Sequence, residues 1–121
     1  MAAPNIVAVA TITGKTIGAA LTTTSADIVT NSAASGKVFK INAIYVANVD
    51  GTNNVDVTVR FYDASVSSGT AFALANTITV PADATLDILS KSIYLEEGDK
   101  IQALASANGD AEIVVSYEEI S

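Results

Sequence analysis

Residues Lys37–Tyr62, KVFKINAIYVANVDGTNNVDVTVRFY, decide the fold. The second arm alternates, with Val55, Val57, Val59 and Phe61 on one face and Asp56, Thr58, Arg60 and Tyr62 on the other. A period of two sends successive side chains to opposite sides of a strand, so this arm has one dry and one wet face. The first arm sets Phe39, Ile41, Ala43 and Tyr45 together, yet Ile44 and Val46 are apolar as well. Such a strand is either covered on both sides or shifts register at a bulge. Between the arms, Asp50-Gly51 suits the positive φ angles of a hairpin turn, and Thr52, Asn53 and Asn54 follow it. The pattern predicts two long strands joined by a tight polar turn.

Strand signals continue on both sides. Toward the C-terminus, Ala71–Val80 is a strand with Phe72, Leu74, Ile78 and Val80 inward, followed by a turn at Pro81-Ala82-Asp83-Ala84. Thr85–Leu89 and Ser92–Leu95 are short strands ahead of the acidic turn Glu96-Glu97-Gly98-Asp99. Lys100–Ala107 turns Ile101, Ala103 and Ala105 inward, Asn108-Gly109 is a second hairpin signal, and Ala111–Glu119 aligns Ile113, Val115 and Tyr117. Toward the N-terminus, Lys15–Thr30 reads as one long interrupted strand; directly after Tyr62, the polar stretch Asp63–Thr70 reads as an exposed loop. Turn signals recur about every 8 to 12 residues and no segment has helical periodicity, so the fold expected is all-β. It is an antiparallel β-sandwich, jelly-roll-like, of about eight strands.

Residues 14–121 form a single sandwich domain on this reading, and 1–13 an N-terminal arm or edge strand. Ile6–Thr13 is apolar or small on both faces. It is either the first strand of the sandwich or an edge strand that pairs outside its own subunit.

Composition narrows the function. Of 121 residues, 50% are hydrophobic and 16% charged, against about 25% charged in a typical domain. A surface so poor in charge fits a protein partly covered by partners. The chain has no cysteine and no histidine, which removes disulfides, thiolate metal sites, and the commonest general base and zinc ligand. A net charge of −7, with the six basic residues scattered, opposes binding to nucleic acid. The start MAAPNIVAVATIT lacks a positive targeting region, and no apolar run approaches a membrane span, so a soluble chain made in the cytoplasm is expected.

Candidate chemistry is sparse. The turn Asp50–Asp56 gathers hard oxygens, as a calcium loop does, but its glycine comes second and no glutamate closes it; hairpin chemistry explains it as well. Glu96 and Glu97 are neighbours that point apart, so they cannot act as a carboxylate pair. Ser65, Ser67 and Ser68 have no histidine to activate them. No catalytic residue, metal or cofactor is expected. The residues that fit an interface are Tyr62, with Arg60 beside it, and Ile6, Val7, Val9 and Ile12 of the first strand.

The block SGKVFKINAIYVANVDG, then TITVPADATLDILSKSIYLEEGDKIQALASANGDAEIVVSYEEIS, resembles small virion structural proteins of tailed bacteriophages, marine cyanophage-type examples among them. The most specific features are IYLEEGDKI followed by SANGD, the final SYEEI, and the VPAD turn before them; the resemblance runs from about Thr22 to the end. It implies a jelly-roll or sandwich module that assembles on the particle with identical subunits, as a homotrimer or higher oligomer. The role implied is a capsid decoration or cement protein on the major capsid protein, or a neck, collar or tail accessory. It carries no functional residues over. A carbohydrate-binding sandwich is the rival class, and the absence of tryptophan speaks against it.

Overall fold

The computed structural model describes residues 9–121. Nine strands follow one another: β1 (Ile12–Ala20), β2 (Ala26–Thr30), β3 (Val38–Asn48), β4 (Val55–Asp63), β5 (Thr70–Val80), β6 (Thr85–Asp87), β7 (Ile93–Leu95), β8 (Lys100–Ala105) and β9 (Ala111–Ile120). They form two antiparallel sheets. The first has the order β1-β9-β3-β6, with β7 also on β3; the second has the order β2-β8-β4-β5. Each sheet interleaves strands from the two ends of the chain, which is the jelly-roll arrangement. The sixth of eight jelly-roll positions is split, because β6 pairs with Tyr45–Ala47 and β7 with Phe39–Ile41 of the same β3.

The core lies where the dry faces meet. β4 supplies Val55, Val57 and Val59, β8 supplies Ile101, Ala103 and Ala105, and the opposite sheet supplies Ile41, Ile44, Val46, Ile113 and Val115. Each large aliphatic side chain buried there contributes about 1.5–3 kcal/mol. The double pattern of β3 resolves as a bulge. Its register against β9 shifts between Ile41 and Ala43, which turns Ile44 and Val46 inward after Phe39 and Ile41.

Four expectations need correction. The central stretch is not a hairpin, because β3 lies in the first sheet and β4 in the second. Its Asp50-Gly51 turn chemistry is local, whereas the apolar faces of both arms are satisfied better as opposite walls of one core. Asn108-Gly109 likewise bridges the sheets, from β8 to β9, with Gly109 at φ 77. Lys15–Thr30 divides into β1 and β2, one in each sheet. Phe72 and Ile78 are exposed, not inward. Among the described residues β5 is an edge strand paired with β4 alone, and Phe72 and Ile78 there lack cover while Ala75 and Val80 are buried. The true hairpin is β4–β5, whose loop closes through Gly69 at φ 109, with the Tyr62 hydroxyl in the space a Cβ would fill.

Two buried asparagines hold the loops at opposite ends of the sandwich. Asn48, at the end of β3, donates from Nδ2 to the carbonyls of Asn53 and Val80, both at 2.9 Å, and its Oδ1 accepts from the Asp50 N–H at 2.9 Å. Asn31, just after β2, donates to the carbonyls of Lys37 (2.9 Å) and Leu95 (3.0 Å) and accepts from the Ser35 hydroxyl at 2.6 Å. Buried Asp99 completes the second end, accepting from the N–H groups of Ala64 and Glu96, both at 3.0 Å. Buried backbone groups must find partners, and here side chains supply them where no strand can.

Candidate assembly surface

A sandwich has four sheet edges, and each exposes unpaired backbone that invites another strand unless something blocks it. Three of the four are blocked. β2 is five residues long and its register against β8 shifts between Asp27 and Val29. β6 and β7 have three residues each. β5 is long, but its register against β4 shifts twice, and Thr77 stands at φ 56. Bulges of this kind twist an edge away from regular pairing.

β1 has no such device. It pairs with β9 in unbroken register from Ile12↔Ile120 to Ala20↔Glu112. Just before it, Thr11 and Ser121 exchange both backbone bonds, and just after it the Leu21 N–H donates to Ala111 at 2.8 Å. In an antiparallel ladder, pairs that exchange both bonds alternate with pairs that exchange none. The odd-numbered residues of β1 therefore bond to β9, and Ile12, Gly14, Thr16, Gly18 and Ala20 direct their N–H and C=O groups to the free edge. The same five residues are exposed, while Ile17 and Ala19 pack toward the core.

The outer face beside this edge carries exposed Val114 and Tyr45. Gly18 stands across from Val114, and Val114 across from Tyr45. A shallow depression there is lined by Gly18, Ala20, Glu112 and Val114. Neither glycine of β1 is required by the subunit's own packing. A Cβ on Gly14 would meet nothing within 4 Å, and one on Gly18 would make ordinary contacts at 3.6 and 3.8 Å. Neither has a positive φ. A glycine inside a strand costs roughly 0.5–1 kcal/mol and often marks close approach by another backbone.

The one charged residue of β1, Lys15, is exposed but paired, on the face that also carries Ile17 and Ala19. Lys15 lies 2.9 Å from Glu119, whose other oxygen takes Lys37 at 3.0 Å. The hydrogen bond from Lys15 is the leading reason that the Glu119 carboxyl sits below the ordinary carboxylate value, and the same bond raises Lys15. A depressed carboxylate adds stability above its unfolded pKa and loses it as the pH falls through the folded value. A raised lysine adds stability below its unfolded pKa and loses it as the pH rises through the folded value. Both contributions are therefore present at neutral pH. We expect Glu119→Gln to cost about 1 kcal/mol at pH 7, kept small by the exposed lysine partners, and nothing measurable near pH 2. Urea unfolding at the two pH values checks this.

The interface residues expected from sequence do not form one patch. Val9 and Ile12 lie at the start of β1 and its lead, on the first sheet, whereas Arg60 and Tyr62 lie on β4 of the second. Tyr62 is half-buried, with the Lys100 ammonium 5.1 Å from its ring centroid. Arg60 stands across from Gln102, and Gln102 across from Asp27. That outer face is polar and internally bonded, with Asp27 accepting from Gln102 at 2.9 Å and Lys100 at 3.2 Å. Ile6 and Val7 lie outside the described residues.

The remaining candidates are occupied by structure. Asp50 accepts from the Thr52 N–H at 2.9 Å and from the Asn53 amide at 3.2 Å, and the bond from Thr52 leads in lowering its pKa. Asp56 accepts from the Thr79 hydroxyl at 2.7 Å. Among the described residues, no group of three or more His, Cys, Asp or Glu is placed to hold a metal ion, and no helix is long and apolar enough to cross a membrane.

No protein-family model matches the chain, and no curated protein matches it. Among solved structures it is similar to a subunit from Bacillus endospore appendages, described as disulfide-linked pili. That likeness has a TM-score of 0.52 at 22% identity, covering 89% of this chain and 85% of the other. A match to a chain of infectious bursal disease virus, Gx strain, has a TM-score of 0.39 at 10% identity and covers 93% of this chain but 37% of that one. The first likeness is one of fold alone.

Proposed function

We propose that this protein is a structural subunit that assembles with copies of itself, and that it decorates a bacteriophage virion as a cement protein seated on the major capsid protein. The observation that carries the reading is the edge of β1, free among the described residues: nine residues in regular register, whose single charge, Lys15, is tied to Glu119. Monomeric proteins protect such edges, and here the other three are short or bulged. Two glycines on this strand that the subunit's own packing does not require, the low share of charged residues and the sequence resemblance to tailed-phage virion proteins support the same role. Because the chain has no cysteine, its assembly rests on non-covalent contacts, with avidity across many copies making up for modest single ones.

Sedimentation velocity of the full chain from micromolar to millimolar concentration tests self-association. We expect species larger than the monomer that grow with concentration, and a monomer throughout contradicts the reading. Binding to phage heads that lack small accessory proteins tests the location. Saturable binding to heads is expected, and binding confined to necks or tails assigns the protein there instead.

A further inference from the structure

We propose that the first contact of this assembly is a two-fold, antiparallel pairing of β1 with β1 of a second copy, centred on Thr16. The inference rests on the assembly reading above and adds the partner, the strand and the register. Three observations lead to it.

The first is parity. The free N–H and C=O groups of β1 belong to its even-numbered residues, as the bonding of Thr11 to Ser121 and of Leu21 to Ala111 fixes. An antiparallel neighbour must offer free groups at matching positions. A second β1 centred on Thr16 does so at every step: Thr16 meets Thr16, Gly14 meets Gly18, and Ile12 meets Ala20. All free groups of both strands are then paired. No other exposed edge among the described residues has a regular run of this length, because β5 and β2 are bulged and β6 and β7 have three residues each.

The second is charge. In this register Lys15 stands across from Ile17 of the second copy, on the inner side, already neutralised by Glu119. Along the outer rows, Glu118 lines up with Gly14, and Glu112 with Ala20. Continued across the two-fold, each of these rows reaches Val114 or Ile120 of the second copy rather than another acid. A chain of net charge −7 thus closes this contact without placing like charges opposite one another, the arrangement that weakens cross-strand pairs.

The third is space. Gly14 and Gly18, which the subunit's own packing does not require, fall opposite each other in the pairing, where two backbones and two outer faces come together. Thr16 meets its own copy at the axis, and a threonine pair is a favourable cross-strand neighbour. The result is one sheet running through both subunits, an isologous contact that closes as a dimer.

Substitutions at the axis read the register. Thr16→Pro removes a free-edge N–H without touching the bonds to β9, so the fold survives and the edge does not. Thr16→Lys places two ammonium groups across the axis, and Thr16→Glu two carboxylates. We expect each of the three variants, analysed as the full chain by sedimentation velocity with circular dichroism as the fold control, to lose at least about tenfold in dimerisation. Mixing Thr16→Lys with Thr16→Glu should restore dimers, because only a pairing that sets residue 16 against itself brings the opposite charges together. If the unmodified chain associates and the three variants associate equally well, the β1 contact is wrong while the assembly reading stands. If the mixture fails to recover, the register is wrong. If the unmodified chain stays monomeric, both readings fall.

Discussion

Asn48→Ala should unfold at a temperature lower by about 10 °C, a loss on the order of 2–4 kcal/mol for a domain of this size. Asn48 is 2% exposed, and one side chain serves three backbone groups on two segments: Asp50 and Asn53 in the β3–β4 loop, and Val80 at the end of β5. Removing it leaves the Val80 carbonyl buried with that partner gone, and the cost of an unmet buried polar group exceeds the net value of the bond itself. Asn48→Asp is the sharper variant. It keeps the size but turns two donors into a charged acceptor facing two carbonyls, so it should cost at least as much as alanine. Asn31→Ala should behave alike at the other end. Because no partner is shared, the two losses should add to within about 0.5 kcal/mol. Urea denaturation of the single and double variants measures all of this, and a loss under about 1 kcal/mol for Asn48→Ala would remove the asparagine from its assigned role.

Phe39→Ala should be the costliest core truncation, at about 3–5 kcal/mol. Phe39 and Tyr117 are the stacked aromatic pair of the first sheet, with ring centroids 5.4 Å apart and planes 26° from parallel. Both are largely buried, and they join β3 to β9, the two strands on which every other strand of that sheet depends. Alanine forfeits the burial, leaves a cavity and ends a contact worth about 0.5–1.5 kcal/mol beyond its area. Phe39→Leu keeps most of the volume and should lose less than half as much. Thermal unfolding of the two variants checks the order. Equal losses would mean that the ring stack contributes little.

Much of the fold could be read from the residues. Alternation placed Val55, Val57 and Val59 inside, as it did Ile101, Ala103 and Ala105, and the doubled pattern around Ile44 announced the bulge that β3 contains. Pairing partners were harder to read. Asp50-Gly51 and Asn108-Gly109 carry hairpin chemistry, but a turn dipeptide reports local backbone preference and cannot tell a hairpin from an arch between sheets. What decides is whether the two inner faces lie side by side or across the core, and that depends on strands far away in sequence. Phe72 and Ile78 were misplaced for a related reason: alternation gives a face, and only the neighbours determine whether that face is covered. Asn31 and Asn48 gave no signal, since a buried asparagine looks like a turn residue until its carbonyl partners are known.

The assembly surface was legible only in part. The edge strand expected at Ile6–Thr13 lies partly outside the described residues, and the strand found at the sheet edge, Ile12–Ala20, falls mostly in the stretch read as the start of Lys15–Thr30. Gly14 and Gly18 lie four residues apart on one face of that strand, a spacing that points to backbone approach from outside. Tyr62 drew attention because tyrosine favours interfaces, yet its hydroxyl fills the space beside Gly69 in its own subunit.

Amide hydrogen exchange along β1 of the full chain, read residue by residue under associating and dilute conditions, tests the central claim most directly. In the dilute monomer, the odd-numbered amides from Thr13 to Ala19 should be protected by β9, while those of Ile12, Gly14, Thr16, Gly18 and Ala20 exchange fast. Under associating conditions the even-numbered set should become protected too, because a second strand has taken their bonds. Association that leaves those five amides fast at every concentration contradicts the account, since the copies would then be meeting somewhere other than the edge of β1.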